Sequence, residues 1–307
     1  MNILSLFVLI PVLTVIAILF TSNMKQTRIV SAIGMGFQLI LAGILVYLYL
    51  TERQAGNTAA MLFYYDAVWF PTLNIHYTLG VDGISVAMIA LTAVVVFAGI
   101  FASWMVDFLY REFFISLILL ATGVFGFFIS LDLFTMFLFY EVAVIPMYLL
   151  IGIWGSGPKE YSAMKLTLML MAGSALLFVA ILGIYFYSAP AGSALTFNLL
   201  EISKHTIPIE MQRFLFPFAF VGFGILGGYG AFRVAIYLMP EAAHEQAWIF
   251  LILTTISVVY GAFGAIVQKD LKYINAYSSV SHCGLVLFAI LMMNQTAMNG
   301  AVIQMIS

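Results

Sequence analysis

Long apolar runs separated by short polar segments make up most of this chain. A helix needs about 20 apolar residues at 1.5 Å each to cross a hydrocarbon core of about 30 Å. The pattern therefore predicts an all-α, polytopic transmembrane helix bundle of about nine helices, with residues 1–307 as a single membrane domain. The runs fall at 3–21, 29–50, 83–105, 113–130, 131–154, 163–187, 214–239, 247–267 and 273–293, and another begins near Ala297.

The composition supports a membrane protein and excludes several other classes. Of 307 residues, 64% are hydrophobic and 8% are charged, against about 25% charged residues in a soluble domain. The net charge of −2 excludes a dominant nucleic-acid surface. The single cysteine, Cys283, excludes an internal disulfide and a cysteine-cluster metal site. The chain has no nucleotide loop, HExxH or GxSxG motif, so soluble-enzyme chemistry is not expected.

Basic residues in short loops predict the orientation of the chain. Lysine and arginine mark the cytoplasmic side, and Lys25 and Arg28 follow the first run. That run lacks a basic flank before it and a cleavage site after it, so we interpret it as a span and not as a signal peptide. The N-terminus is therefore expected outside. Because successive spans cross the membrane in alternate directions, Arg111 and Lys159 are then expected inside, in agreement with the rule that basic loops are cytoplasmic.

The charge pattern breaks after the seventh run. The loop 240–247 should be inside but has no lysine or arginine, whereas Lys269 and Lys272 should be outside but are typical of an inside loop. One more span between about 214 and 239 would repair both faults. We therefore expect a missing or re-entrant span there. The alternative is that a few charges are exceptions to a statistical rule.

Two connections between the runs are long. The first, 51–80, has aromatic residues that are predicted to form a layer at the membrane interface: Tyr64, Tyr65, Trp69 and Tyr77. It leads into a glycine-punctuated turn in which Asp82 is placed to cap the third helix. The second, 188–213, contains Pro190, Gly192 and Pro208.

The run 131–154 carries a carboxylate, Glu141, near its middle. A charge at the bilayer centre costs roughly 2.5–3.5 kcal/mol on insertion scales, so an acid there is a functional candidate, and we predict that Glu141 holds and passes a proton. Pro146 removes a helix hydrogen bond and would help water or a partner side chain to approach. The alternative is a structural glutamic acid, kept neutral and hydrogen-bonded to a neighbouring helix.

Lys165 is a possible relay residue at the start of the sixth run. Glu141 lies about 20 Å from the membrane face near which Lys165 sits, which argues against direct pairing. Lys165 is therefore expected to snorkel to the interface, with a proton-relay role as the alternative. Arg233, in the seventh run, is expected to snorkel likewise.

His282 is a second relay candidate. Its spacing from Tyr277, Ser278 and Ser281 places the four side chains on one predicted helix face. A histidine in the membrane can take and give a proton near neutral pH. The alternative is that this face supplies interhelical hydrogen bonds. The glycines at 123 and 126 are expected to allow close helix approach.

Several segments resemble one family. DLFTMFLFYEVAVIPMYLLIGIWG (132–155), TFNLLEI (196–202), DLKYINAYSSVSHCGLVLFAI (270–290) and LGVDGIS (79–85) closely resemble the subunit M family of bacterial NADH-quinone oxidoreductase, respiratory complex I, whose mitochondrial counterpart is chain 4. The resemblance implies an antiporter-like, proton-translocating membrane-arm subunit, related to Mrp sodium/proton antiporter subunits, in the bacterial inner membrane.

The resemblance also implies cofactors, partners and site residues. NADH, FMN, iron–sulfur clusters and quinone would bind to other subunits, and this chain would hold no cofactor or metal. Its partners would be other membrane-arm subunits and the lipid bilayer, with no nucleic acid. Glu141 matches the key glutamate of the fifth helix, and His282 lies in the SVSH motif near the polar axis of the membrane arm.

The sequence departs from the family pattern in its second half. The family has a discontinuous helix seven and a helix eight, each with a lysine, but VGFGILG (221–227) here joins GYGAFRVAIYLMP (228–240) directly. We therefore expect an internal deletion near Gly227/Gly228, an incomplete second half and no lysine partner for Glu141. Two alternative functions stay open: a stand-alone cation/proton antiporter subunit, and a non-catalytic fragment of subunit M.

Overall fold

A computed structural model of the chain describes residues 2–188, 194–224 and 228–307. The chain divides into two compact units, Met1–Met169 and Leu170–Ser307, and the boundary falls inside one helix. Within the described residues, seven helices are long and apolar enough to cross a membrane. The predicted all-α polytopic helix bundle is therefore confirmed, while the expected single membrane domain stays a prediction.

The first unit contains five whole helices, the start of a sixth and four short strands among its described residues. The helices are α1 (Leu6–Leu19, preceded by a 3₁₀ turn at Ile3–Ser5), α2 (Met24–Gln54), α3 (Gly83–Ala102), α4 (Tyr110–Ile129), α5 (Leu133–Trp154) and α6 (Lys159–Tyr187). The strands are β1 (Leu62–Tyr65), β2 (Val68–Phe70), β3 (Ile75–His76) and β4 (Leu79–Val81).

The second unit contains the end of α6, six further α-helical segments and one π-helix among its described residues. These are α7 (Leu199–Ile202), α8 (Ile209–Gly224), α9 (Gly228–Gly230), α10 (Pro240–Val267), α11 (Leu271–Leu291) and α12 (Gln295–Ile306). A π-helix, Ala231–Ile236, follows α9 directly. The described residues of the predicted seventh run, 214–239, lie mainly on α8, α9 and the π-helix. Gly227, at the predicted junction, lies outside the described residues, as do Pro190 and Gly192.

The long connection 51–80 folds into two antiparallel strand pairs, β1 with β4 and β2 with β3. Tyr64, Tyr65 and Trp69 are exposed, as an interfacial layer requires. Tyr77 is half-buried instead, and burial raises the pKa of its hydroxyl, partly offset by a hydrogen bond with Ser5. Three of the four predicted aromatic residues therefore lie on the surface.

Hydrogen bonds and an ion pair connect residues near the helix ends of the first unit, in two separate groups. At one end, Arg28 pairs with Asp107 at 3.1 Å, and Arg111 donates to the carbonyl of Thr21. At the other end, the strand region 62–81 bonds to the residues that lead into α5. The basic residues at 28 and 111 therefore share one end of the unit, as their predicted common side requires.

Helices α4 and α5 approach closely because α4 has glycines at the contact. A Cβ added at Gly123 would lie 2.8 Å from the carbonyl oxygen of Phe139 and 2.8 Å from the amide nitrogen of Ala143. A Cβ at Gly126 would overlap the Phe139 ring. Small residues at helix crossings are the usual way in which membrane helices pack tightly. The expected packing role of these glycines is confirmed.

Replacing Gly123 with alanine is expected to destabilise the protein. The new methyl group meets backbone atoms that cannot move without displacing α5, and such overpacking costs about 1–3 kcal/mol. Gly99→Ala is the matched control, because no atom lies within 4 Å of its added Cβ. Unfolding in mixed micelles should show a loss for Gly123→Ala and no loss for Gly99→Ala. Equal stability of the two variants would contradict the close α4–α5 contact.

Candidate functional site

Helix α5 has a buried side and an outward side, and Glu141 lies between them. Met136, Tyr140 and Val144 are buried, whereas Ile145, one turn beyond Glu141, is 67% exposed. The Oε1 atom of Glu141 is nevertheless buried and accepts no hydrogen bond from the described part of the chain. An unpaired buried polar atom costs about 1–3 kcal/mol. Because a bound proton or another hydrogen-bond donor would remove this cost, the Glu141 carboxyl group is a candidate binding site for one.

Tyr140 adds a second polar group beside the acid. Its hydroxyl oxygen is buried and has no hydrogen-bond partner among the described residues. Its ring stacks on Phe137 at 6.4 Å and lies 6.5 Å from Phe127. The Tyr140 side chain therefore lies in a largely aromatic environment, where electrostatic interactions are strong. Sequence reasoning missed Tyr140, although its position next to Glu141 in an apolar run was a usable signal.

Pro146 lies inside α5, which continues through it from Leu133 to Trp154. Proline has no amide hydrogen, so the carbonyl of Val142 cannot receive the usual helix hydrogen bond from residue 146. Val142 directly follows Glu141 in the chain. The predicted access for water or a partner side chain beside the acid stays a prediction.

Lys165 lies on α6 with an exposed side chain. It forms no ion pair with Glu141, and the ion pairs among the described residues involve other groups. This agrees with the expectation that helix geometry prevents direct pairing. A snorkelling or relay role for Lys165 stays a prediction.

A polar cluster at the start of α5 brings residues of the strand region 62–81 next to Asp132, which is distant in the sequence. His76 Nδ1 lies 2.8 Å from an Asp66 carboxylate oxygen, and Nε2 lies 2.9 Å from the Asn74 side-chain oxygen. Thr78 donates to Asp66 at 2.6 Å, and the His76 amide donates to Asp132 at 3.3 Å. No local pattern signals this cluster, because its members meet only through the strand pairing.

Asp132 is fully buried and caps α5. One carboxylate oxygen accepts the Thr135 amide at 3.0 Å. Burial raises the pKa of Asp132, and backbone hydrogen bonds from Thr135 and His76 partly offset that rise. Asp82 caps α3 in the same way, accepting the Ser85 amide at 2.9 Å, as the sequence predicted.

In the second unit, the predicted polar face of α11 is divided between two neighbouring helices. Gln304 of α12 donates from Nε2 to His282 Nδ1 at 2.8 Å. Ser281 instead donates to the carbonyl of Val258 on α10 at 3.0 Å, and the Tyr277 ring also packs towards α10. These contacts are the interhelical hydrogen bonds of the alternative interpretation. The relay role of His282 stays a prediction.

Arg233 does not snorkel, and that prediction is wrong. Its residue is 6% exposed and lies in the π-helix. The guanidinium donates to the Tyr229 hydroxyl at 3.1 Å and lies 5.3 Å from the centroid of the same ring. The ring and the hydroxyl of Tyr229, one turn away, both contact the buried guanidinium, so the side chain lies inside the protein and does not extend to the interface.

Residues 2–188, 194–224 and 228–307 contain no group of three or more histidine, cysteine or acidic side chains that could hold a metal ion. The fold and the candidate site together define a multi-pass helical membrane protein with a buried carboxyl group inside one span. The family model described as NADH:quinone oxidoreductase/Mrp antiporter, TM, matches residues 130–226 and 224–307, more than half of the chain. The chain belongs to this family, which confirms the resemblance stated above.

Relatives and a solved structure extend this result. The chain is 31% identical to NAD(P)H-quinone oxidoreductase chain 4-2 of Synechocystis over 78% of this chain and 48% of the relative. It is 28% identical to NADH-quinone oxidoreductase subunit M of Rickettsia prowazekii over 99% of this chain and 68% of the relative. A chain of respiratory complex I from Thermus thermophilus with bound NADH shares the fold, with a TM-score of 0.85, 23% identity and coverage of 97% of this chain and 67% of that chain.

The chain spans about half the length of the first two curated relatives that it matches. The alignment with the Rickettsia subunit runs over 340 positions, 33 more than the 307 residues present here. That relative therefore has residues that interrupt the aligned part and have no counterpart in this chain. The two segments matched by the family model meet at 224–226, beside the predicted junction.

Substituting Asp132 tests the buried cap at the start of α5. Its raised pKa means that the folded state binds the proton more tightly, so its contribution to stability is fully present below about pH 4 and is lost as the pH rises through the raised pKa. Asp132→Asn keeps the cap and should remove this pH dependence from melting curves. Asp132→Ala should cost about 1 kcal/mol because it removes the cap. A pH profile unchanged in Asp132→Asn would refute the assignment.

A double-mutant cycle tests whether His282 and Gln304 join α11 and α12. We expect His282→Ala and Gln304→Ala to have a coupling energy of about 0.6 kcal/mol, the mean for interhelical hydrogen bonds in membranes. The measurement is unfolding in mixed micelles. Ser279→Ala is a control partner, since the Ser279 hydroxyl donates within its own helix. A coupling between His282 and Gln304 no larger than that between His282 and Ser279 would exclude the interhelical bond.

Proposed function

We propose that this chain is a proton-translocating membrane-arm subunit of an NADH-quinone oxidoreductase, with Glu141 as its buried proton-carrying carboxyl group. The main support for this proposal is the state of the Glu141 Oε1 atom. It is buried inside an apolar span and has no hydrogen-bond donor among the described residues. The names of the relatives, all oxidoreductase chain 4 or subunit M proteins, support the same function.

The rest of the assembly follows from this proposal. NADH, FMN, iron–sulfur clusters and quinone would bind to other subunits, and this chain would contact other membrane-arm subunits and lipid. The end of the first unit that carries Arg28 and Arg111 would face the cytoplasm, with the N-terminus outside. The membrane would be the bacterial inner membrane.

The chemistry proposed for Glu141 is the alternation of one carboxyl group between two charge states. Burial favours the neutral acid, and a nearby positive charge favours the carboxylate. A cation that approaches and withdraws would therefore drive proton release and uptake. In this proposal Tyr140 is a hydrogen-bonding group for the same site, because its buried hydroxyl has no partner among the described residues.

The proposed proton release from Glu141 needs a positive charge nearby, and the chain offers few candidates for it. Residues 214–239 contain no lysine, and Arg233 is held by Tyr229. We infer that the residues present in the Rickettsia relative and missing here lie near 224–228, where the two segments of the family match meet. A second candidate function is therefore a non-catalytic fragment of subunit M, which would join the assembly without moving protons through Glu141.

Replacing Glu141 tests the proposal in the assembled complex. Membranes should first be shown by mass spectrometry to contain the peptide that spans Gly227 and Gly228, so that this form of the chain is the one tested. NADH-driven proton uptake into vesicles should then fall several-fold in Glu141→Gln, because an amide cannot exchange a proton. The number of protons moved per NADH oxidised is the measurement.

Glu160→Gln is the matched control for this experiment. Glu160 lies in the first turn of α6 and is exposed, so the same chemical change there should leave proton uptake unaltered. Equal proton uptake in Glu141→Gln and in the unchanged chain would reject the proton-carrying role and favour the non-catalytic fragment.

A further inference from the structure

Helices α1 and α2 form an elongated apolar groove on the surface of the first unit. The α1–α2 groove has a volume of about 520 Å³, and its walls come from Leu13 and Ala17 of α1 and from Ile33, Phe37 and Ile40 of α2. Phe37 and Ile40 are each 60% exposed, so the groove opens outward.

The floor of the groove is closed and chemically apolar. Thr14 and Gly34 touch there, and a Cβ added at Gly34 would overlap the threonine side chain. The Thr14 hydroxyl donates to the carbonyl of Ile10 at 2.8 Å, so it is satisfied within α1. No polar group on the floor therefore needs a partner from a ligand, and the occupant must be hydrocarbon.

The length of the groove suits an extended hydrocarbon chain. Its lining on α2 runs from Val30 to Ile44, a rise of about 21 Å at 1.5 Å per residue. One leaflet of the hydrocarbon core is about 15 Å thick. The groove is therefore longer than one leaflet is thick, and a single acyl chain from one leaflet fits within its length.

A positive charge lies at one end of the same helix face. Lys25 is in the first turn of α2, and Ile29 and Ile33 follow it at spacings of four residues, which places the three on one side of the helix. Lys25 is exposed, and no hydrogen bond or ion pair engages it within the described part of the chain. Arg28, by contrast, is already bound to Asp107.

We propose that the α1–α2 groove is a binding site for one anionic phospholipid, with an acyl chain against Phe37 and Ala17 and the headgroup phosphate on the Lys25 ammonium. Apolar burial along the groove holds the chain. A basic residue near the membrane surface attracts an anionic headgroup, and the flexible lysine stem can follow it. This site is independent of the proposed proton path through Glu141.

Photolabelling tests the site directly. The probes are a phosphatidylglycerol and a phosphatidylcholine that carry the same diazirine acyl chain, each incorporated into membranes that contain the full 307-residue chain. Mass spectrometry should locate the label at 10–17 and 30–44. Phosphatidylglycerol should label this groove about fivefold more than phosphatidylcholine, the ratio expected from one basic residue at the surface.

Two variants separate the headgroup from the acyl chain. Lys25→Gln should abolish the preference for phosphatidylglycerol, and Lys269→Gln, the same change at another exposed lysine, should keep it. Ala17→Phe fills the groove and should reduce labelling several-fold, while Val95→Phe adds bulk at an exposed position on α3 and should not. Label spread evenly over all lipid-facing helices, no headgroup preference, or cross-links from the groove to a neighbouring protein would each overturn the proposal.

Discussion

Hydrocarbon offers no hydrogen-bond partner, and this constraint governs the described structure. Every backbone group in a span must be bonded within its own helix, so apolar runs become helices. Polar side chains in those helices must then find a partner inside the protein. Thr14 and Thr254 bond to carbonyls of their own helices, and Ser281 reaches the next helix. Glu141 is an exception in an otherwise apolar span, and that contrast makes it the best functional candidate.

The same constraint explains where the chain departs from regular helices. The loss of a helix hydrogen bond at Pro146 is tolerated beside the acid, and the π-helix at Ala231–Ile236 carries the buried Arg233. Irregular helical segments in membrane proteins often lie at functional sites. The two segments matched by the family model, 130–226 and 224–307, meet between these two irregular helical segments.

Fold and candidate site were not equally predictable. The helices, the Asp82 cap and the glycine contact between α4 and α5 follow from hydropathy, capping chemistry and residue size, which act locally. The His76–Asp66–Asp132 cluster depends on strands that pair across the chain, so no local pattern signals it. The prediction that Arg233 snorkels was wrong for a similar reason. Hydropathy counts an arginine as unfavourable in a span and contains no information about the aromatic partner one turn away.

The sequence by itself determined that the chain crosses a membrane many times and which family it resembles. It also determined which acid is anomalous, because a single ionisable residue in an apolar run is visible in the sequence and is costly to bury in hydrocarbon. The tertiary structure decided which partners the polar groups have. It divided the polar face of α11 between α10 and α12, and it left Glu141 Oε1 buried without a donor among the described residues. It also formed the α1–α2 groove. Side-chain partners depend on how helices cross, and crossing geometry is set by contacts between residues that are distant in the chain.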